Sequence, residues 1–291
     1  MTRLEISPDL WRAGGVLLMV VSLLACWPGR HDEDRDRVPD RVDLCPSTPQ
    51  GRPVDEQGCS DIGRALARSF HALLSESLFA VGDIWVLQKL LQLRPDSELE
   101  RLIERWRGEL DSSPFRRHIN PEATRVALPE DPGHGIIRFY NYMLAPFGRP
   151  ESRALEFIRD LVSSQETGYV LTHQFLVIEW AGEQGLVLPE PVLALRPQLL
   201  DRIAAEHAAD DRFSDLFVER TAMLLVFAEP VPAAATDWVD ILLTAQLPEG
   251  NWEDLEPSAI AFDGQTTAAM HNRGHTTAWS ALALAAYAHR H

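Results

Sequence analysis

Three polar stretches in the second half of the chain carry side chains that can bind a metal ion. His173 lies near the start of an apolar segment, Asp215 and Glu219 are four residues apart, and His271 and His275 precede the last apolar segment. Residues four apart share one face of a helix. Two imidazoles and one carboxylate from separate helices suit Zn²⁺ and leave a position for water or substrate. We predict a zinc centre built from His173, Asp215, His271 and His275, with His173, Glu219 and His275 as catalytic ligands or acid–base groups.

Each of these side chains also has a purely structural interpretation. Polar clusters are enriched at functional sites but also occur elsewhere, so the sequence leaves both interpretations open. The structural roles are a satisfied core histidine for His173, a helix cap at Ser214-Asp215, an ion pair with Arg220 for Glu219, and pinning of the last helix by His271 and His275.

A second candidate metal site lies near the N-terminus, in a loop of regularly spaced aspartates. They occupy positions 1, 3, 5, 9 and 12 of the loop: Asp32, Asp34, Asp36, Asp40 and Asp43. Val38, at position 7, would contribute its backbone carbonyl. Ca²⁺ takes six to eight oxygen ligands, and this spacing wraps oxygens around one ion. We expect calcium in this loop; the alternative is a stiff spacer that holds no metal.

The residues after the aspartate loop continue a recognisable pattern. They are Cys45-Pro46, Thr48-Pro49, Gly51, Val54-Asp55 and Gly58-Cys59. Residues 32–59 together resemble a thrombospondin type 3 repeat, the Ca²⁺-binding linker of many outer-membrane proteins. The sequence departs from that repeat at Arg35 and Arg37, which replace glycines and would repel a cation. Arg37 occupies a sharp-turn position that normally needs glycine.

The N-terminal residues predict how the protein reaches its compartment. An apolar run at residues 16–25 ends in Leu23-Leu24-Ala25-Cys26, which resembles the lipobox of bacterial lipoproteins. There the cysteine is acylated and becomes the mature N-terminus. The run is shorter than the roughly 20 apolar residues of a spanning helix, which favours a cleaved signal over an uncleaved anchor or a buried helix. Trp27 replaces the usual inner-membrane retention aspartate, so the resemblance implies a lipid anchor in the outer membrane, on its periplasmic or surface face.

The cysteine count agrees with a secreted protein. The chain has 3 Cys, and lipidation of Cys26 leaves Cys45 and Cys59 as an even pair in an oxidising compartment. A disulfide closing this short loop would stabilise it by about 3 kcal/mol. We therefore expect a signal peptide at 1–25, a lipidated, disulfide-pinned acidic linker at 26–60, and one large domain at 61–291.

Composition limits the partners of that domain. The chain is 45% hydrophobic and 24% charged, as in ordinary globular proteins, and its formal net charge is −16. This negative charge argues against nucleic acid and anionic lipid headgroups as partners. The sequence also lacks a glycine-rich phosphate loop, a Gly-x-Ser-x-Gly elbow and a His-Glu-x-x-His motif.

The elements that must position the candidate site are helices. Apolar residues recur at helical spacing, and proline and glycine separate the segments. We predict an all-α domain of about ten helices without a sheet. The predicted segments are 62–93 (one or two helices), 98–110 behind an Asp96-Ser97 cap, 135–144, 149–164, 170–183, 191–208, 215–228, 235–245 and 275–289.

One motif suggests how these helices are arranged. Residues 242–252 contain Gln246, Gly250 and Trp252 in the pattern Gln-x-x-x-Gly-x-Trp. This resembles the QW repeat of α/α toroid proteins such as triterpene cyclases, in which Gln ends one helix and satisfies backbone groups of the next. The resemblance implies a toroid with its chemistry at one end of the ring, on helix N-termini. The resemblance does not imply cyclase chemistry, because the Asp-x-Asp-Asp cluster of the cyclases is missing. It also does not imply the cysteine-ligated zinc of prenyltransferases, because residues 61–291 contain no Cys.

Three functions from different classes remain open at this point. The first is a metal-supported hydrolase or lyase acting on an envelope or extracellular polysaccharide or peptide. The second is a non-catalytic lipoprotein whose ring captures a ligand or envelope partner. The third is a structural lipoprotein whose histidines are core polar groups. Bound metal separates the first from the third, and binding without turnover favours the second.

Overall fold

The structure is a computed structural model that describes residues 37–39, 42, 54, 56, 58–76, 79–110, 112–124, 130–131, 133–148, 151–210, 212–253, 259–268 and 273–291. The chain divides into two units, Met1–Ser60 and Asp61–His291. No helix among these described residues is both long and apolar enough to cross a bilayer.

In the first unit, the described residues include one position that bears on the calcium prediction. Arg37 has a φ of 79°, in the left-handed region that favours glycine. The backbone therefore takes the sharp turn here although the side chain is not suited to it. The five aspartates, Cys26 and Cys45 lie outside the described residues, so calcium binding, lipidation and the Cys45–Cys59 disulfide stay predictions.

The second unit is mostly helical, in agreement with the all-α prediction. Its helices, in chain order, are α1 (Asp61–Ser75), α2 (Val81–Leu93), α3 (Ser97–Glu109), α4 (Arg116–Ile119), α5 (Gly135–Met143), α6 (Ala145–Gly148), α7 (Glu151–Val162), α8 (Gly168–Glu183), α9 (Glu190–Leu193), α10 (Leu195–Ala208), α11 (Asp215–Phe227), α12 (Ala235–Ala245) and α13 (Arg273–Arg290).

Capping residues explain two of these helix starts. Asp83 accepts a hydrogen bond from the backbone N–H of Ala80 at 2.6 Å, which fixes the start of α2 and separates it from α1. Asp96 accepts from the N–H groups of Glu98 and Leu99 at 2.9 Å each, so it caps α3 as predicted.

Four helices form the centre of the core because they are apolar on nearly every face. They are α2, α8, α11 and α13, and most of their residues are buried. Helix α13 packs against α2 and α11, α11 packs against α8, α8 against α6, α6 against α4, and α4 against α2. This series of contacts returns to its starting helix. The amphipathic α1, α7 and α12 pack around it with one face buried.

A β-hairpin was missed by the sequence prediction. Strands β1 (Ala259–Phe262) and β2 (Gln265–Ala268) pair antiparallel, with Phe262 opposite Gln265. The turn residues Asp263 and Gly264 have φ values of 50° and 73°. Asp-Gly at such a turn is a strong hairpin signal, but the flanking strands are too short to show a convincing alternation. The hairpin packs on α5 and α8.

The Gln246–Trp252 segment joins the last part of the fold to α1. Gln246 follows α12 and donates from Nε2 to the carbonyls of Ala65 in α1 and Gly250, both at 2.9 Å. Trp252 is fully buried and donates to the carbonyl of Leu242 at 2.9 Å. Gly250 has a φ of 94°, and a Cβ there would lie 2.2 Å from the Arg68 carbonyl oxygen. Each residue of the motif thus has a definite packing role.

Candidate metal centre

The first two turns of four core helices supply the side chains of the candidate site. Asp83 is the third residue of α2, Tyr169 the second of α8, Asp215 the first of α11 and His275 the third of α13. Because these side chains contact one another, the N-terminal ends of the four helices meet at this site. The N-terminus of a helix carries partial positive charge, which favours carboxylates placed there.

Asp83, His275, Asp215 and Tyr169 form a continuous polar chain. His275 donates from Nδ1 to Oδ1 of Asp83 at 2.7 Å. Its other ring nitrogen, Nε2, lies 3.4 Å from both Asp215 Oδ1 and the Tyr169 hydroxyl. The Tyr169 hydroxyl in turn donates to Oδ2 of Asp215. Asp83 and Asp215 are almost wholly buried, so this chain is shielded from solvent.

The carboxylates control the protonation of their neighbours. Burial alone would lower the pKa of His275. The pKa is instead raised to about 10 by the charges of Asp215 and Asp83, by the hydrogen bond to Asp83, and by the charge of Glu219. Burial, followed by the charges of Asp215 and Glu219, raises the pKa of Tyr169 well above its ordinary value. In the metal-free protein, three carboxyl groups therefore face one imidazolium and one neutral phenol, and a metal ion bound at Nε2 of His275 would displace the proton there.

Asp215, Glu219 and His275 form a group that can hold a metal ion. Each offers one ligand atom, and these atoms lie within 4.8 Å of one another. Glu219 is 1% exposed, and its Oε1 accepts no hydrogen bond from the described residues. A buried carboxylate oxygen without a donor is costly, whereas a bound cation would satisfy it. The donor set therefore fits a divalent ion.

The hydrogen bond from His275 to Asp83 has the geometry expected around a metal-binding histidine. Such histidines usually donate their second ring nitrogen to a carboxylate or carbonyl, which fixes the ring and leaves the other nitrogen for the ion. Here Asp83 takes Nδ1, so Nε2 faces Asp215. Asp83 is thus placed to orient a ligand without being one itself.

His173 lies beside this group and is not one of its three residues. Its Nδ1 is 2.8 Å from the carbonyl oxygen of Tyr169, one turn earlier in α8, and 3.9 Å from Oε1 of Glu219. Its ring also stacks on the Tyr169 ring, with centroids 5.3 Å apart. The sequence predicted His173 as a ligand; the structure places it next to the group, with Nε2 left as its available nitrogen. His271 lies outside the described residues.

Of the purely structural interpretations, the helix cap at Ser214-Asp215 is confirmed through Ser214, whereas the ion pair between Glu219 and Arg220 is wrong. Ser214, not Asp215, caps α11, because its Oγ accepts from the N–H of Phe217 at 3.1 Å. Arg220 pairs with Glu206 and Asp210 and not with Glu219. Asp215 and Glu219 both belong to the buried group with His275.

A cavity of about 400 Å³ opens directly beside the group. Asp83, Tyr169, His173 and His275 line one wall. Most other lining residues are apolar, among them Leu110, Phe139, Met143, Trp180 and Ile260. The volume is within the range of small-molecule sites, about 300–1,000 Å³. The polar chain therefore borders a space that a ligand can occupy.

Sequence reasoning missed Asp83 and Tyr169 as site residues. Asp83 is the one acidic residue of α2, which is otherwise apolar from Val81 to Leu87, and that isolation was a usable signal. Tyr169 gave no comparable signal, because its role depends on the approach of Asp215 from α11.

Comparisons with known proteins do not assign this site. No protein-family model, no curated protein and no solved structure matches the chain. The interpretation of the site therefore depends on its own geometry.

Proposed function

We propose that the unit Asp61–His291 is a zinc-dependent hydrolase of the α/α toroid type, in which Asp215, Glu219 and His275 bind the ion. The observation that carries this proposal is the buried Glu219 carboxylate, whose Oε1 has no donor among the described residues although it lies beside Asp215 and His275. Zinc accepts carboxylate and imidazole ligands and commonly uses three protein ligands at catalytic sites.

The helix contacts support the toroid part of the proposal. A series of contacts that runs from α2 through α13, α11, α8, α6 and α4 back to α2 is what a ring of inner helices requires. The site lies where helix N-termini meet, which is where toroid proteins carry their chemistry. The hydrogen bond from Gln246 to the Ala65 carbonyl in α1 also agrees with the role of glutamine in the QW repeat.

The chain's own residues suit hydrolysis. A divalent ion at this site would act as a Lewis acid towards a substrate oxygen. Asp83 holds His275 by Nδ1 and so keeps Nε2 directed at the site. His173 is held by the Tyr169 carbonyl at Nδ1, so its Nε2 is the lone-pair nitrogen that can accept a proton in the cavity. The mostly apolar surroundings strengthen these charge interactions.

The proposal also includes where the protein works. Lipidated Cys26 would anchor the chain in the outer membrane, and residues 26–60, with calcium in the aspartate loop, would hold the helical unit away from the bilayer. Its substrates would then be peptides or polysaccharides of the envelope or its surroundings. A non-catalytic ligand-binding lipoprotein is the second candidate, and the mostly apolar lining of the cavity favours it because binding alone needs no ion.

Metal analysis of the full chain tests the first candidate. We expect about one zinc per chain after reconstitution and dialysis, measured by inductively coupled plasma mass spectrometry, and loss of that zinc in Glu219→Gln. Glu179→Gln is the matched control, because Glu179 is mostly buried like Glu219 but pairs with Arg196 at 2.6 Å. Absence of zinc from the unaltered chain would overturn the metal site.

Turnover separates the two candidates. Zinc-loaded protein is assayed against panels of peptides and glycans, with His173→Gln as the variant that removes the proton acceptor. Cleavage that depends on both zinc and His173 supports the hydrolase. Saturable binding with no cleavage of any member supports the ligand-binding protein.

A further inference from the structure

The cavity beside the candidate metal centre has two chemically different walls. The wall formed by Asp83, Tyr169, His173 and His275 is polar and adjoins the metal group. The rest of the lining is mostly aliphatic and aromatic side chains, including Leu110, Phe139, Met143 and Ile260. A ligand that fills the cavity must therefore present a polar, metal-seeking group to the first four residues and apolar groups to the rest of the lining.

The apolar side offers few hydrogen-bonding groups. Among the described lining residues away from the metal group, only Ser113, Tyr140, His118 and Trp180 carry a side-chain hydrogen-bonding atom. His118 is almost fully buried, and neither ring nitrogen is accessible or hydrogen-bonded within the described part of the chain. A sugar ring bears a hydroxyl on most of its carbons, and each hydroxyl buried here without a partner would weaken binding.

Two of the aromatic residues that line the cavity, Trp180 and Phe139, do not offer an open ring face to a sugar. Trp180 is only 6% exposed, and its ring packs edge-on against His118 and Trp85, with centroids 4.5 Å and 6.1 Å apart. Phe139 is fully buried between the rings of His173 and Phe262. Stacking on a sugar requires an open ring face, whereas these rings contribute edges and patches to an apolar wall.

We propose that the site acts on an acyl compound, such as a peptide bond, whose apolar side chain occupies this cavity, and not on a bare glycan. This inference rests on the proposed metal site, because the ion would hold the carbonyl end. An ion held by Asp215, Glu219 and His275 would take the substrate carbonyl oxygen, and the apolar side chain would occupy the part of the cavity lined by Phe139 and Met143. Hydrolysis breaks the C–N bond; water supplies the hydroxyl of the new acid and the proton of the released amine.

Three zinc-binding hydroxamates of different side chain test this substrate class. Acetohydroxamate supplies the metal-binding group alone, 3-phenylpropanohydroxamate adds an apolar ring, and gluconohydroxamate adds a chain of hydroxyls. Affinities for the zinc-loaded full chain are measured by isothermal titration calorimetry. We expect the phenyl compound to bind about ten- to a hundredfold more tightly than acetohydroxamate, because the ring is removed from water. Gluconohydroxamate should show no gain.

A glycine in the cavity wall provides a matched pair of variants. Gly82 lines the cavity, and a Cβ there would meet nothing within 4 Å. Gly82→Leu should fill part of the space and remove the phenyl preference while acetohydroxamate binding persists. Gly82→Ala adds a single methyl group at the same helical position and should keep most of the preference.

The outcomes distinguish this inference from the proposed function. Zinc uptake with equal affinity for all three compounds overturns the substrate class and leaves the metal site intact. Tighter binding of gluconohydroxamate than of the phenyl compound overturns it in favour of a glycan. Failure to take up zinc, measured on the same samples before titration, overturns both.

Discussion

Two buried charged clusters lie on either side of α11, and their charges are arranged differently. Glu219 points to the cluster with Asp83, Asp215 and His275, whereas the next residue, Arg220, points to Glu206 and Asp210. In the Arg220 cluster the buried Arg220 pairs with both carboxylates, and the exposed Arg212 lies near one of them. In the Glu219 cluster three carboxyl groups face one imidazolium. We call the first cluster balanced, because each of its carboxylates pairs with a cation, and the second unbalanced, because a bound cation would complete it.

The histidines of the two clusters show the same contrast. His207 is as well buried as any core residue, and burial, then Arg220, lowers its pKa to about 4. Burial also acts to lower the pKa of His275, but the neighbouring carboxylates raise this pKa to about 10. Burial alone therefore does not decide the charge of a histidine here; the neighbouring charges do. A balanced cluster stabilises the fold, whereas the unbalanced one is suited to binding.

Removing the cation of the balanced cluster should have the largest effect on stability. In Arg220→Met, Glu206 and Asp210 lose their buried partner, and we expect the free energy of unfolding to fall by about 3 kcal/mol. Urea denaturation at pH 7 measures it. Arg212→Met is the control, because its guanidinium lies 3.4 Å from Asp210 but is 84% exposed; it should change stability by less than about 0.5 kcal/mol. Equal losses of stability in the two variants would show that the buried Arg220 contributes no more than the exposed Arg212.

The corresponding change in the unbalanced cluster should have the opposite sign. Without metal, Glu219→Gln replaces a buried carboxylate whose Oε1 lacks a donor among the described residues, so we expect the metal-free protein to gain about 1 kcal/mol. With zinc at a hundredfold excess over its dissociation constant, the unaltered protein gains about 2.7 kcal/mol that the variant does not. The order of stability should therefore reverse on addition of zinc. Thermal unfolding of both proteins with and without zinc measures this, and an unchanged order would refute the metal site.

The pH dependence of stability should reflect the balanced cluster. The pKa of His207 is depressed in the folded state, so its contribution is present above the unfolded value of 6.5 and lost as pH falls towards about 4. Between pH 6.5 and 5 we expect a loss of about 2 kcal/mol from this residue. His118, whose pKa burial lowers to about 3, acts in the same direction. In His207→Gln, denaturation curves at pH 7 and pH 5 should differ less than in the unaltered protein.

The sequence predicted the helical class and most of the polar cluster for physical reasons. Apolar spacing located the core helices, and Asp215 and Glu219 share a face because they are four residues apart. The sequence could not predict which carboxylates pair with a cation. Glu219 and Arg220 are adjacent in the chain, but their partners come from different helices, α13 for Glu219 and α10 for Arg220. Asp83 was missed for the same reason: its partner His275 is 192 residues away. The hairpin was missed because its strands are only four residues long.

One hydroxyl in each cluster allows the smallest and most direct comparison. Tyr169 donates to the Asp215 carboxylate, whereas the Thr221 hydroxyl lies 3.0 Å from Nε2 of His207. A hydrogen bond to a charged group contributes more than one between neutral groups. We therefore expect Tyr169→Phe to destabilise the metal-free protein by about 2 kcal/mol and Thr221→Val by about 1 kcal/mol, measured by urea denaturation at pH 7. Zinc should reduce the first effect, because an ion on Asp215 would replace the charge stabilisation that the phenol provides, and should leave the second unchanged. A zinc-independent Tyr169→Phe effect would mean that Asp215 does not contact the ion.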